Sequence, residues 1–235
     1  MKRFRYLIFL FAIAKLSYSQ DAEIKEITSY PNPSLIFNWA YNSWLEVPEK
    51  VDISPLSMGI DLSGMYTILG RQSFIAMAGG IGISVQNYKT NAMLTGYDST
   101  FFSILNKEII YQKNKFSTVY VELPIEIRIR TRPNPSNRAG IVRKRNVRWS
   151  VGFKIGYLIQ SYSKYNGDNL SGDSERDVKF KEYKIPNMLP YRYGVYSSLG
   201  YGKFSLIAYY ALTDLFRNKK GPELRPFSVG ISITI

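Results

Sequence analysis

The sequence predicts an all-β protein, an eight-stranded antiparallel up-and-down transmembrane β-barrel. Three observations predict it. Eight segments alternate apolar and polar residues with period two, and the best of them is long for a soluble sheet. The first nineteen residues have the form of an export signal. No later apolar run approaches the roughly 20 residues that a membrane-spanning helix needs, so a crossing has to be made by strands.

The leader comes first. Lys2, Arg3 and Arg5 form a basic start, Tyr6 to Ala14 an apolar run, and Ser17 and Ser19 put small residues at positions −3 and −1 before Gln20. This is the pattern of a secretory signal peptide over residues 1–19. Residues 20–33 then read as a periplasmic N-terminal segment and residues 34–235 as the barrel.

The clearest strand is Thr118 to Arg130. Val119, Val121, Leu123, Ile125, Ile127 and Ile129 share one face, and Tyr120, Glu122, Pro124, Glu126, Arg128 and Arg130 the other. Soluble strands usually run about 5–6 residues, whereas a tilted membrane strand places about 9–11 in the bilayer. The C-terminus repeats the pattern, with Phe227, Val229, Ile231, Ile233 and Ile235 alternating with Ser228, Gly230, Ser232 and Thr234. Six further sets alternate less strictly: Leu35 to Tyr41, Leu56 to Ile68, Ile75 to Val85, Trp149 to Ile159, Tyr191 to Tyr201 and Phe204 to Leu212. Their opposite faces are rich in Gly, Ser and Ala and carry the single charges Asp61, Arg148, Lys154 and Arg192. Eight is an even number, as closure of an antiparallel barrel prefers. With apolar faces toward lipid, Val119, Ile125 and Ile129 point outward, and Glu122, Glu126, Arg128, Arg130, Arg148, Lys154 and Arg192 form a lumen network. A soluble periplasmic barrel or sandwich is the alternative that period two leaves open.

Connection lengths set the sides. The second and sixth, at Gly70-Arg71-Gln72 and Gly202-Lys203, are tight; the third and fifth, near Asn87–Lys115 and Ser163–Leu189, are long. Bacterial barrels have short periplasmic turns and longer external loops. The fourth connection, residues 131–147, is long where a short turn is expected, and it is strongly basic, with Arg132, Arg138, Arg143, Lys144 and Arg145.

Composition narrows the chemistry. The chain has neither Cys nor His, which removes disulfides, thiolate sites, imidazole zinc sites and Ser-His or Cys-His catalysis. Aromatic residues make up 15%, with 19 Tyr, as interfacial aromatic belts require, although Tyr also favours strands. The net charge is +13, and the leader's four bases leave +9 on the rest. Such a balance seeks anionic partners. Nucleic acid is disfavoured because the basic fourth connection lacks interleaved aromatics; lipid headgroups or an acidic partner subunit fit it better, beside simple solvation. Glu122 and Glu126 could act as an acid/base pair, but paired lumen charges explain them better. Asp168, Asp173, Glu175 and Asp177 crowd one connection without matching a calcium-loop spacing. Gly79-Gly80-Ile81-Gly82 has no following helix and reads as relief of crowding in a curved strand.

Val121-Glu122-Leu123-Pro124-Ile125-Glu126-Ile127-Arg128 resembles the "Glu-Leu/Ile-Pro" strand of the small PorT-like outer-membrane β-barrel family of Bacteroidota. Gly200-Tyr201-Gly202, Tyr209 to Phe216, Gly221-Pro222-Glu223-Leu224 and Phe227-Ser228-Val229-Gly230 resemble its tail. The resemblance implies an eight-stranded barrel and no catalytic residue; some members resemble components of the type IX secretion machinery. The expectation is therefore a non-enzymatic integral protein of the cell outer membrane, a structural or accessory subunit of an assembly or secretion complex. It needs no cofactor or metal. Its expected partners are outer-membrane lipid and other membrane-complex subunits, through residues 131–147. A membrane-embedded enzyme acting on lipid or protein and a small porin are the alternatives. An eight-stranded interior is just filled by side chains, which disfavours an open pore.

Overall fold

The computed structural model describes residues 33–70, 73–106, 109–131, 146–170 and 178–235. The leader 1–19, most of the segment 20–33, the basic residues Arg132, Arg138, Arg143, Lys144 and Arg145, and the acids Asp173, Glu175 and Asp177 lie outside the described residues. The described residues contain eleven strands and no helix: β1 (Ser34–Leu45), β2 (Met58–Leu69), β3 (Ile75–Lys89), β4 (Ala92–Thr95), β5 (Phe101–Ile104), β6 (Tyr111–Arg130), β7 (Val147–Gly167), β8 (Val178–Tyr183), β9 (Tyr191–Tyr201), β10 (Phe204–Ala211) and β11 (Arg225–Thr234).

Eight of these form the closed barrel. Antiparallel pairing runs β1-β2-β3-β6-β7-β9-β10-β11, and β11 returns to β1. Closure leaves no strand edge around the ring. One end carries the tight connections, where Gly70 and Gly202 adopt φ of 69° and 62°, left-handed values that glycine takes without strain. The other end carries β4, β5 and β8 and the connections that join them.

The strands form where the alternation places them, and apolar residues face outward. Ile125 is 48% exposed while its neighbour Glu126 is 4% exposed. Along the eight outward faces, from the turn end up to Tyr41, Val85, Val119, Ile159, Tyr191 and Phe227, no described residue is charged. The serine on this surface, Ser197, accepts a hydrogen bond from the Trp149 indole N–H at 3.0 Å, so both polar groups are satisfied in an apolar setting. Tyr201 and Phe204 mark the turn end of the apolar band, and Tyr157 packed on Tyr191 at 5.6 Å marks the loop end. From Val119 to Ile129 strand β6 rises about 33 Å at about 3.3 Å per residue, hence about 25 Å along the axis at a tilt near 40°, the height of a barrel's lipid-facing band.

Pro124 sits inside β6 with a neighbour on each side. It has no N–H to give to a ladder, and the β3–β6 pairing skips the positions opposite Leu123 and Pro124, at Ile81 and Gly80. A side chain at Gly80 would lie 2.1 Å from the Gly64 carbonyl oxygen and 2.7 Å from the Met65 sulfur. Glycine is required there because β2 approaches so closely.

The long connections are more regular than the alternation suggests. Strand β6 begins at Tyr111, not Thr118, and β7 runs to Gly167, not Ile159. In β7 the cause is a register shift between Val119/Tyr120 and Leu158/Gln160, whereas β6 keeps its phase, with Asn114, Phe116 and Thr118 buried like Tyr120. One extra residue in β7 flips its phase, as a bulge does, so that beyond Ile159 the buried positions are Ser161, Ser163 and Tyr165. Strand β8 pairs with this extension, and β4 and β5 form a separate hairpin.

At this end the polarity of the wall reverses. Tyr88, Phe116 and Tyr165 are buried, while Lys89, Lys115 and Lys164 stand on the outward face. Trp44 stacks on Tyr88 at 4.3 Å. With Leu94, Phe116, Ile185, Met188, Leu215, Phe216 and Leu224 it forms an apolar cap of strand ends and connections. The barrel is apolar outside along its band and apolar inside above it, as expected where the surrounding solvent changes from lipid to water.

The outward face sets a testable cost. Ile125→Arg should lower unfolding stability in a bilayer by about 2–4 kcal/mol, measured by denaturant titration. Equal stability of Ile125→Arg and the parent would contradict a lipid-facing Ile125.

Candidate functional site

The inward faces of four strands bring the charges together. Glu122 lies on β6, Lys154 on β7, Arg192 on β9 and Asp61 on β2. Arg192 donates to Glu122 at 2.6 Å, and the Lys154 ammonium lies 3.2 Å from both Glu122 and Asp61. Arg192 also donates to Gln86 and, at 3.4 Å, to Ser84, and its guanidinium lies 3.9 Å from the centre of the Tyr120 ring. Gln86 in turn accepts from the Tyr88 hydroxyl at 2.7 Å, which connects this layer to the apolar cap. Two cations meet two carboxylates, and the aromatic rings of Tyr120, Tyr196 and Tyr209 border the cations. Burial of four charges is tolerable only with such pairing.

A second layer lies toward the turn end. Glu126 pairs with Arg128 two residues along the same strand and accepts from the Tyr196 hydroxyl at 2.9 Å. Arg128 also reaches the Thr67 hydroxyl at 3.4 Å. A third layer holds Arg130 and Arg148, which face each other in the β6–β7 register. Arg148 donates to Ser205 at 3.2 Å and to Thr234 at 3.0 Å.

The structure thus brings Glu122, Lys154 and Arg192 into one cluster, joins Glu126 to Arg128, and places Arg130 and Arg148 at the turn end. Arg132, Arg138, Arg143, Lys144 and Arg145 lie outside the described residues. Sequence reasoning placed Asp61 on a polar face without giving it a partner, and it missed Ser84, Gln86, Tyr196 and Tyr209 altogether. Their signal was parity alone: each has the parity opposite to its strand's apolar set.

Space inside is scarce. Glu126, Arg148, Lys154 and Tyr196 border a cavity of about 30 Å³, room for one or two waters. Small residues admit the large rings: a side chain at Gly152 would lie 2.5 Å from the Tyr196 ring. Both candidate acid/base carboxylates are engaged, Glu122 by two cations and Glu126 by one cation and a hydroxyl. The arrangement braces the wall and fills its interior. Asp168, from the acidic connection, accepts from the backbone N–H of Ile110 at 2.8 Å.

No protein-family model matches the chain, and no curated protein does. Among solved structures, the chain is similar to Ail, the attachment invasion locus protein of Yersinia pestis, in complex with the heparin analogue sucrose octasulfate. The TM-score is 0.32 and the identity 9%, over 87% of this chain and 99% of that one.

Removal of one partner tests the first layer. Glu122→Gln leaves Arg192 and Lys154 buried with Asp61 as their one carboxylate, and loss of a buried partner costs about 3–5 kcal/mol. The variant should migrate as a folded barrel at lower temperatures than the parent in a heat-modifiability gel. An unchanged transition would mean that the cluster does not brace the wall. Reconstituted parent protein should also show no steady conductance in planar bilayers; reproducible open channels would contradict a filled lumen.

Proposed function

We propose that this chain is a non-enzymatic integral barrel of the bacterial outer membrane, acting as a structural or accessory subunit of an assembly or secretion complex. One observation carries the membrane reading: an uncharged apolar band around a closed barrel whose charges are paired inside. The leader Lys2 to Ser19 supports export, and a barrel with lipid-facing strands has its place in an outer membrane. The turn end, with Gly70 and Gly202, is then periplasmic, and the end carrying β4, β5 and β8 is external.

The accessory role rests on sequence. The resemblance of Val121 to Arg128 and of the last strands to PorT-like barrels supports a link to secretion machinery. Arg138, Arg143, Lys144 and Arg145 lie close together in a connection whose length a simple hairpin does not require. Charge of that density suits an acidic face of a periplasmic partner. The enzyme alternative is disfavoured because the sequence has no Cys or His and its two candidate carboxylates, Glu122 and Glu126, are ion-paired.

Fractionation tests the location: the mature protein should require detergent for extraction and change its gel mobility on heating. Recovery from the soluble periplasm without detergent would overturn the membrane reading. For the role, Arg138–Arg145 should be replaced by a short neutral turn. The barrel should still insert, while recovery of co-purifying subunits falls, more so at higher salt. Full retention of every partner would exclude docking through this connection.

A further inference from the structure

Above the apolar band the outward face of the wall carries a row of lysines in register. Lys89 of β3 lies opposite Lys115 of β6, Lys115 opposite Lys164 of β7, and Lys164 opposite Lys181 of β8. Four ammonium groups thus span three strand spacings, about 14 Å at about 4.8 Å each. Lys113 and Lys179 flank Asn166 in the next row outward. All lie on one face. Lys115 donates to the Asn87 side chain at 2.9 Å, and Lys181 lies 4.1 Å from the Tyr162 ring and 4.4 Å from the Tyr183 ring. Among the described residues none of the six lysines has an ion-pair partner.

Like charges directly opposite one another destabilise a sheet, so the row has a cost. Protection of a strand edge by lysine explains part of it. Lys181 is on β8, which has a neighbour on one side only, and Lys89 is at the top of β3, beyond its pairing with β2. Lys115 and Lys164 are flanked by strands on both sides, so edge protection does not account for them.

The height of the row identifies what it faces. Val119 is the last aliphatic residue of the band on β6, and Lys115 is four residues further along, about 10 Å higher at the usual rise and tilt. The headgroup layer on each side of the hydrocarbon spans about 5–8 Å, and the Lys115 ammonium leans back into it, donating to Asn87, which is level with Ser117 and about 5 Å above Val119. Tyr162 and Tyr183 sit between the band and the row, where interfacial aromatics belong. On the external side, the anionic groups available at that height all around the barrel belong to the outer leaflet.

We propose that Lys89, Lys115, Lys164 and Lys181 form a binding surface for the phosphate groups of an outer-leaflet glycolipid. The asparagine contact holds the Lys115 ammonium and the tyrosine rings hold that of Lys181, and phosphates neutralise the repulsion that the register imposes. The proposal rests on the membrane reading and on the loop end being external.

The test uses full-length mature protein in dimyristoylphosphatidylcholine nanodiscs with 10% added lipid. The additive is diphosphorylated lipid A, its dephosphorylated form, or phosphatidylglycerol. Retained additive is measured by mass spectrometry after washing in 0.15 M salt. The parent should enrich diphosphorylated lipid A over the dephosphorylated form by at least about tenfold, since each basic residue near an anionic surface contributes about fivefold before screening. The variant K89Q/K115Q/K164Q/K181Q should insert normally, because its changes lie above the band, and should lose most of that enrichment. Absence of a preference in an inserted parent would overturn the proposal, and would be the result if Asp173, Glu175 and Asp177 of this chain neutralise the row instead. Equal enrichment of phosphatidylglycerol would replace the glycolipid assignment with a general anionic attraction. Failure of the parent to insert would overturn the membrane reading, and the proposal with it.

Discussion

An eight-stranded barrel encloses a space about as wide as its own side chains. Everything placed inside must therefore find its partner inside. This constraint explains why Glu122 meets both Arg192 and Lys154, why Lys154 also reaches Asp61, and why Tyr196 turns its hydroxyl to Glu126. It also explains the small residues on the same faces, since Gly152 leaves the volume that the Tyr196 ring occupies. The outward face answers a complementary demand. Lipid offers no hydrogen bonds, so backbone groups pair around a closed ring and a polar side chain such as Ser197 is satisfied by a neighbour, Trp149. The lumen and the band are two halves of one solution: the charges are inside because the outside must be free of them.

The strands were legible in the sequence because their faces have period two. Parity separates Glu122 and Glu126 from Ile125 and Ile127 without any knowledge of neighbours. Parity does not give height. Whether Asp61 on one strand stands level with Lys154 on another depends on the stagger of strands around the barrel, and no local pattern records it. The apolar cap was illegible for a different reason. Leu94, Ile185, Leu215 and Leu224 come from connections with no period, and they converge because the barrel mouth gathers the connections above it. The loop-end half of β7 was hidden by the register shift at Ile159, and that of β6 by the exchange of polarity, which leaves Lys115 outside and Phe116 inside.

Along β7 the chain passes through two environments. From Trp149 to Tyr157 its apolar side chains face out; from Ser161 to Gly167 the exposed face carries Tyr162 and Lys164, and Tyr165 packs inside against Phe180. The apolar cap and the lysine row are thus consequences of the same change of solvent. An apolar outer surface has no driving force to persist above the band, so the core moves indoors and the cations move out. The acid-poor exterior of this extension accounts for part of the net positive charge of the chain, separately from the basic connection at the opposite end.

The register shift at Ile159 and Gln160 has a meaning for how this barrel can vary over time. It acts as a frame change in a message read two letters at a time. A single-residue deletion in β7 on either side of it transposes every side chain beyond, carrying Lys164 indoors or Phe153 into the lumen. A matching insertion nearby restores the frame at once. Length changes in this strand are therefore admissible only in compensating pairs, or at the bulge itself with a reversal of everything above it. The tall wall of β6, β7 and β8 can grow or shrink by two residues and keep its chemistry; by one, it exchanges its inner and outer surfaces.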